Sequence, residues 1–252
     1  MEKTCQAYLE QTLCWTSSLL IDRFQSLLHV YGWLVSPWMA KVLVCLEEAG
    51  VEYEVVPLSL TNGDHRRPEH LARNPFGQIP VLEDGDLTLY QSHAIARYVL
   101  GKHKPELLGL GEGGSVEESA MVDMWVEVET HQYEAAVKPI VWHCLVSQHV
   151  GLDRDQGVVD ESVEKLRAVL EVYEARLSSA GRYYLAGGDR VSLADLSHVP
   201  LMHYFTATEY GGVLGEYPRV KAWWEALLAR PSVKKVIAGM PTDFGFGSGN
   251  LP

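Results

Sequence analysis

The apolar positions in the first half of the chain recur with both strand and helix periods. Five segments carry a regular pattern: a buried strand at 27–32, a helix at 36–49, an alternating strand at 51–58, a hairpin at 79–90 and a helix at 91–103. Because a helix connects the first two strands, they should be parallel, and the hairpin should add an antiparallel edge. The polar segment 59–78 lacks a clear period, and we expect a loop there, long enough for a functional role. Together these elements predict a compact α/β domain over residues 28–104.

A change of composition to Pro, Gly and charged residues marks a linker at 105–114. Beyond it the apolar positions follow a helical period almost throughout, which predicts an all-helical domain over residues 115–240. Two serine–acid pairs have the spacing of capping boxes at helix starts: Ser115 with Glu118, and Ser192 with Asp195. The tail 241–252 is Gly-rich, which is typical of a mobile end. Residues 1–27 carry a weak helical stripe and fit an appended helix and a disordered extension equally well.

Composition and charge narrow the possible functions. The chain has 252 residues, 47% of them hydrophobic, and a formal net charge of -12. That charge argues against a nucleic-acid partner, which needs clustered Lys and Arg. No apolar run approaches the length of a membrane span. The start lacks the basic region and apolar run of a secretion signal, and its acidic residues disfavour a transit peptide. We therefore expect a cytoplasmic protein without a membrane partner.

The cysteines and histidines give no sign of a metal site. The four cysteines lie far apart, without C-x-x-C pairs, which suits a reducing compartment. The ten histidines are scattered, and pairs such as His198 and His203 lack ligand spacing. The segment Gly109–Gly114 matches G-x-G-x-x-G, but no strand leads into it, so a phosphate-binding loop is disfavoured. We expect no metal.

Ser36 admits two interpretations. It precedes Pro37 and a helical apolar pattern, which is how an ordinary helix N-cap looks. The same place presents free amides and a partial positive charge, so a hydroxyl there can also take part in chemistry. The local sequence alone leaves this choice open.

Two other segments admit both a structural and a functional interpretation. Pro80 begins the hairpin, and a cis bond before it would turn the backbone of Ile79 outwards to pair with an extended peptide. Gln91 and Ser92 stand at a helix start, where free amides favour a carboxylate. In isolation a plain cap is the better interpretation of Ser92.

In combination these motifs resemble a known family. The segments are "YGWLVSPWMAKVLVCLEEAG", "RPEHLARNPFGQIPVLEDGDLTLYQSHAIARYV", "KPELL", "MVDMWVEVETHQYEAAVKPI", "VVDESVEKLRAVLEVYEARL", "YLAGGDRVSLADLSHV" and "YPRVKAWWEALLARPSVKKV". From about Leu28 to Met240 the chain resembles the cytosolic glutathione transferases, and specifically the plant phi class. The resemblance implies a thioredoxin-like α/β N-terminal domain, an all-α C-terminal domain and a homodimer.

The resemblance also assigns site residues. Ser36 matches the serine that activates glutathione by donating its O–H to the thiolate, while it still caps the helix. The positions that match glutathione contacts are His65, Arg66, Gln78, Ile79, Pro80 (as a cis-proline), Gln91 and Ser92. The positions that match the electrophile pocket are Val35, Pro37, Trp38, Ile140 and Trp142. For Ile140 and Trp142, core packing is an equally good interpretation.

Two positions depart from the family pattern. Many relatives carry glutamate at Gln91, where it would pair with the amino group of glutathione. A neutral glutamine forms a weaker hydrogen bond, so weaker glutathione affinity is expected. Pro37 stands where some relatives have tryptophan or threonine. Proline suits the first helical position, but it alters part of the electrophile pocket.

The resemblance implies an enzyme that conjugates the glutathione thiolate to hydrophobic electrophiles, a detoxification type of reaction, with glutathione-dependent peroxidase activity as a further capacity. The main alternative is a ligandin, a carrier of flavonoid-like apolar molecules with little catalysis. A redox enzyme of the thioredoxin fold is disfavoured, because the nearest cysteine to position 36 is Cys45, inside the helix. A structural or translational module remains a further alternative, since fold does not fix function.

Overall fold

A computed structural model describes residues 27–246. The N-terminal domain is built on a four-stranded sheet with the order β2-β1-β3-β4. The strands are β1 (Leu28–Gly32), β2 (Tyr53–Pro57), β3 (Val81–Asp84) and β4 (Leu87–Tyr90). β1 pairs with β2 in parallel, and the other pairings are antiparallel, which confirms the predicted topology. The expectations for residues 1–26 and 247–252 lie outside the described residues.

Three helices accompany this sheet. They are α1 (Pro37–Ala49), α2 (Pro68–Arg73) and α3 (Ser92–His103). α1 begins after Ser36 and ends at Gly50, whose left-handed backbone (φ 66°) closes it as predicted. α2 lies within the segment that the sequence predicted to be a loop. It has fewer than two turns, too few to show a helical period, and its start is marked only by Pro68 in the first turn.

The C-terminal domain is helical, as predicted. Its α-helices are α4 (Val116–Val128), α5 (Glu134–Val141), α6 (Gln156–Leu177), α7 (Leu193–Leu196), α8 (Val199–Thr206), α9 (Pro218–Leu228) and α10 (Pro231–Ile237). The expected long helix after Ser115 is continuous but contains π-helical turns at Glu129–Tyr133 and Trp142–Val146. Hydropathy alone does not reveal such turns, because they shift the helix face only locally. No helix within residues 27–246 has the length and apolar character needed to cross a membrane.

The predicted capping box at α7 is present and ties several elements together. The buried carboxylate of Asp195 accepts bonds from the amide and hydroxyl of Ser192, at 2.9 and 2.8 Å. It also accepts from the amide of Leu185 at 2.8 Å and from the indole of Trp223 at 3.0 Å. One cap therefore fixes α9 and the segment before α7 to the start of α7.

The described part of the Gly-rich tail is packed rather than loose. The ring of Phe244 stacks on Tyr204, with centroids 3.9 Å apart and planes at 14°. Phe246 stacks on His149 at 4.5 Å and 8°. The Met240 carbonyl is bonded to the ring of His203 at 2.9 Å. The glycines predicted mobility, but the two aromatic side chains between them anchor the segment 241–246.

A buried histidine makes the fold sensitive to acid. His198 is fully buried, with Nδ1 2.7 Å from the Ala194 carbonyl and Nε2 2.8 Å from the Tyr173 hydroxyl. Burial lowers the pKa of His198 to about 4. The ring is therefore neutral, with Nδ1–H donating to the carbonyl and Nε2 accepting from the tyrosine.

We predict that acid weakens folding through His198. In the unfolded chain a histidine takes up a proton near pH 6.5, whereas folded His198 does so only near pH 4. The contribution of His198 to the free energy of unfolding is complete above pH 6.5 and is lost as the pH falls towards 4. Between pH 7.5 and 5.0 this loss should be about 2 kcal/mol.

Urea denaturation at both pH values measures this loss in the wild type and in His198→Asn. The variant should lack that part of the pH dependence, and His131→Asn, at an exposed position, serves as control. A pH dependence equal in wild type and His198→Asn would contradict the assignment.

Candidate active site

Residues of both domains line a cleft of about 780 Å³. One half is polar and comes from the α/β domain: His65, Arg66, Asn74, Gln78, Gln91 and Ser92. The other half is mostly apolar, with side chains such as Trp38, Trp142, Val146, Leu201, Phe244 and Phe246. Ser36 lines the same cleft. The cleft therefore has room for a polar ligand beside an apolar one, with a hydroxyl available to both.

Ser36 is the N-cap of α1. Its backbone is extended (φ -69°, ψ 125°), Pro37 occupies the first turn, and its Oγ accepts a long bond from the Met39 amide at 3.4 Å. Ser36 is only 6% exposed. The carbonyl of the preceding Val35 accepts a 2.7 Å bond from the Tyr204 hydroxyl of α8. Because Oγ acts as an acceptor towards the helix, its own O–H remains available for a ligand atom in the cleft.

The segment before β3 is held by bonds to one carbonyl. The backbone carbonyl oxygen of Gln78 accepts a bond from the side-chain amide of Asn74 at 2.8 Å. It is also 3.0 Å from Nε2 of the buried His70. The Ile79–Pro80 peptide bond is cis, as expected. Gln78, Ile79 and Pro80 all line the cleft. The Gln78 backbone is thus positioned by His70 of α2 and by Asn74, which directly follows α2.

Arg66 packs against the same segment at Gly77. Gly77 has φ 59°, and a Cβ there would lie 2.9 Å from Nη1 of Arg66 and from the His65 carbonyl. The guanidinium donates to the Phe76 carbonyl at 3.3 Å. Only glycine at position 77 leaves room for Arg66 in this place.

His65 is a weaker base in this position than a free histidine. Burial and the neighbouring Arg66 cation lower the pKa of His65. Its buried Nδ1 has no hydrogen-bond partner within residues 27–246. The guanidinium of Arg66 is therefore the cation here, and His65 offers a neutral ring nitrogen.

Gln91 and Ser92 lie where α3 begins. Gln91 has φ 73° and ψ 113°, an unfavourable conformation for a residue other than glycine, which costs about 1–3 kcal/mol. Its side chain is exposed in the cleft, and Ser92 beside it is buried in the wall. Backbone strain of this kind concentrates at functional sites.

The apolar half agrees only in part with the sequence-based assignment. Pro37, Trp38 and Trp142 line the cleft, but Val35 and Ile140 lie in the hydrophobic core. Ile140 is fully buried because the cleft face of this helical segment carries other residues: Glu134, Lys138, Val141 and Trp142. These recur at intervals of four, three and one, and position 140 points away from that face. The spacing is visible in the sequence, but only the structure shows which face of the helix meets the cleft.

The chain matches two protein-family models and several known proteins. The family model for the glutathione S-transferase N-terminal domain matches residues 26–101, and that for the C-terminal domain matches residues 133–231. The chain belongs to the glutathione S-transferase family. Glutathione S-transferase 4 of Zea mays is 58% identical over 86% of this chain and 94% of its own, and the probable glutathione S-transferase GSTF1 of Oryza sativa is 55% identical over 84% and 95%. These similarities place it in the plant phi class, as predicted.

Two solved structures are each 52% identical in sequence to this chain, and each superposes on it with a TM-score of 0.80. One is glutathione S-transferase I bound with lactoylglutathione, covering 85% of this chain and all of the other. The second is glutathione S-transferase I from mais with an atrazine glutathione conjugate, covering 85% and 98%. The likeness confirms a thioredoxin-like domain followed by a helical domain.

Behind the cleft of this phi-class chain lies a buried charge network that the sequence did not predict. Lys41 of α1 places Nζ 3.1 Å from Glu129, 3.0 Å from the His93 ring and 3.7 Å from Glu134. Lys41 is 2% and Glu129 0% exposed. Burial alone raises the pKa of Glu129, but Lys41 and His93 override it and hold the pKa at about 2. The only sequence signal was a lysine inside the apolar stripe of α1.

The network reaches the cleft through Glu134. One oxygen of Glu134 accepts from the indole N–H of Trp38 at 3.1 Å, and both side chains line the cleft. His93 directly follows Ser92 at the start of α3. The same buried charges therefore connect α1, α3 and the helical domain at the place where the cleft walls meet.

We predict that Lys41→Met lowers the free energy of unfolding by about 3–5 kcal/mol, because it leaves the buried Glu129 carboxylate without its cation. Denaturant unfolding measures this. Lys235→Met, which removes an exposed lysine 2.7 Å from Glu47, should cost less than about 1 kcal/mol. Adding Glu129→Gln to Lys41→Met should recover much of the loss. A Lys41→Met cost no larger than that of the control would contradict the assignment.

Proposed function

We propose that this protein conjugates the thiolate of glutathione to hydrophobic electrophiles, with Ser36 as the residue that stabilises the thiolate. The observation that carries the proposal is the place of Ser36. It caps α1 in the wall of a cleft whose polar and apolar halves suit a tripeptide and an apolar molecule. The bound ligands of the two solved relatives, lactoylglutathione and an atrazine glutathione conjugate, support it.

In this proposal thiolate formation needs no general base. Bringing the thiol pKa from about 8.5 to about 6.5 requires roughly 2.7 kcal/mol. A charge-assisted hydrogen bond from the Ser36 hydroxyl supplies about 1.5–3 kcal/mol, and the partial positive charge at the start of α1 adds about 0.3–1 kcal/mol. These terms suffice, so Ser36 acts as a donor and not as a nucleophile. The thiol proton passes to solvent.

The polar half suits the rest of glutathione. Arg66 provides a cation for the glycine carboxylate, with the neutral His65 beside it. The backbone of Gln78 and Ile79 suits the extended middle of the peptide. Gln91, Ser92 and the free amides at the start of α3 suit the γ-glutamyl end. Each of these groups lines the same cleft, so one bound tripeptide can reach all of them.

A homodimer in the cytoplasm completes the proposal. Membership of the family supports both parts.

We predict that Ser36→Ala lowers kcat for glutathione with 1-chloro-2,4-dinitrobenzene about 100-fold, because the thiolate loses a charge-assisted hydrogen bond. The pKa of the bound thiol, followed by thiolate absorbance, should rise towards its free value. Ser115→Ala is the matched control. Ser115 caps α4 in the same way, accepting from Glu118 at 3.1 Å, but lies outside the cleft.

Two results would overturn this assignment. An unchanged thiol pKa in Ser36→Ala would remove Ser36 from thiolate stabilisation. A wild type that is retained on immobilised glutathione yet turns over almost nothing would favour the carrier function instead.

We further predict that Gln91→Glu lowers the KM for glutathione about fivefold, because a carboxylate would pair with the ligand's amino group more strongly than the neutral amide does. Gln91→Met, which removes the acceptor at similar size, should raise the KM. Steady-state kinetics with varied glutathione measure both. No change, or a rise, in the glutamate variant would refute the ion pair.

A further inference from the structure

The apolar half of the cleft carries two charged side chains among the residues that line it, Glu134 and Lys138. They lie one turn apart on α5, at a spacing that would allow them to pair with each other. They do not pair in this structure, and their surroundings differ.

The carboxylate of Glu134 has partners in the cleft wall. One oxygen accepts from the Trp38 indole at 3.1 Å, and the other is 3.7 Å from the buried Lys41 ammonium. Only 17% of its side chain is exposed. Both oxygens of Glu134 therefore have partners other than Lys138, and Glu134 shares the Lys41 ammonium with Glu129.

The charge of Lys138 is not compensated by a carboxylate among residues 27–246. Its Nζ lies 5.1 Å from the centroid of the Trp38 ring, and its side chain is exposed. A ring face attracts a cation but leaves N–H donors for another acceptor. Lys138 thus places an available positive charge beside the aromatic part of the cleft wall.

We propose that the preferred electrophiles are flat aromatic molecules that carry an anionic group, such as a carboxylate or sulfonate, which pairs with Lys138. The inference rests on the proposed conjugation and names its substrate class. The electrophile's ring would pack among Trp38, Trp142 and Phe244, and its anionic edge would face Lys138. With an aryl halide as the electrophile, the thiolate forms a C–S bond at the ring carbon that carries the halogen. The C–halogen bond breaks, and halide is released.

Because the whole protein is acidic, the proposed preference depends on Lys138. At a net charge of -12, the overall field disfavours an anionic substrate. A preference for such a substrate therefore requires a local cation, and Lys138 supplies it on the apolar side. Arg66 lies in the polar half that the proposed function gives to glutathione.

The test compares two substrates that differ by one carboxylate: 4-chloro-3,5-dinitrobenzoate and 2-chloro-1,3-dinitrobenzene. The ratio of their kcat/KM values is measured for wild type, Lys138→Met and Lys138→Arg. The ratio, anionic over neutral, should fall about fivefold in the methionine variant, which keeps the bulk of the chain, and return in the arginine variant. Lys165→Met is the matched control. Lys165 pairs with Glu161 on α6, away from the cleft, and its removal changes the net charge equally.

A ratio that stays within twofold of wild type in Lys138→Met, or that falls equally in Lys165→Met, overturns the inference. Failure of the proposed function is recognised separately, as absence of wild-type turnover with both substrates. In that case binding of the unreactive 3,5-dinitrobenzoate, followed by quenching of tryptophan fluorescence, still decides the role of Lys138. Its dissociation constant must rise about fivefold in Lys138→Met and remain near wild type in Lys138→Arg.

Discussion

The cleft depends on how α1 is held against the helical domain. At its start the carbonyl of Val35 accepts from Tyr204, and in its middle Lys41 pairs with the buried Glu129. At its end Glu48 receives two bonds from Arg230, at 2.6 and 2.7 Å. Each contact joins the two domains. A helix fixed in this way cannot shift along its axis without breaking a buried polar bond, so the position of the Ser36 hydroxyl is set by the packing of the domains.

The charged contacts do more to specify this arrangement than to stabilise it. Removing Lys41 and Glu129 from water costs much of what their attraction returns, and an apolar pair could pack there. An apolar pair would, however, tolerate rotation or sliding of α1, whereas Lys41 requires Glu129 and the His93 ring within about 3 Å. Because His93 is adjacent to Ser92, the same requirement aligns the starts of α1 and α3. The starts of α1 and α3, which line the polar half of the cleft, therefore keep fixed positions relative to each other.

Much of this could be predicted from the sequence, and the failures have physical causes. Ser36, Gln78 to Pro80, Gln91 and Ser92 stood out because each lies near a helix or strand start, but local spacing left their roles open, and only the family resemblance assigned them. Val35 was assigned to the cleft wall but lies in the core, and for Ile140 core packing, which was an equally good interpretation, is what the structure shows. Facing the cleft depends on packing between domains, which local spacing does not reveal. Phe244 escaped notice because the glycines around it are typical of a mobile end. Lys41 escaped because its partners Glu129 and His93 are distant in the chain.

The distribution of charge in the cleft connects the two halves of the proposed function. In the proposed function Gln91 is neutral at the γ-glutamyl end, so on that side glutathione would be bound by hydrogen bonds and by the amides at the start of α3. On the apolar side Glu134 is engaged with Lys41 and Trp38, whereas the Lys138 ammonium faces only the Trp38 ring. Relative to a cleft with glutamate at position 91, the proposed site would bind glutathione less through charge and the electrophile more through it. Selectivity would then lie with the second substrate, because the α5 face that carries Lys138 would determine which aromatic molecules stay beside the thiolate.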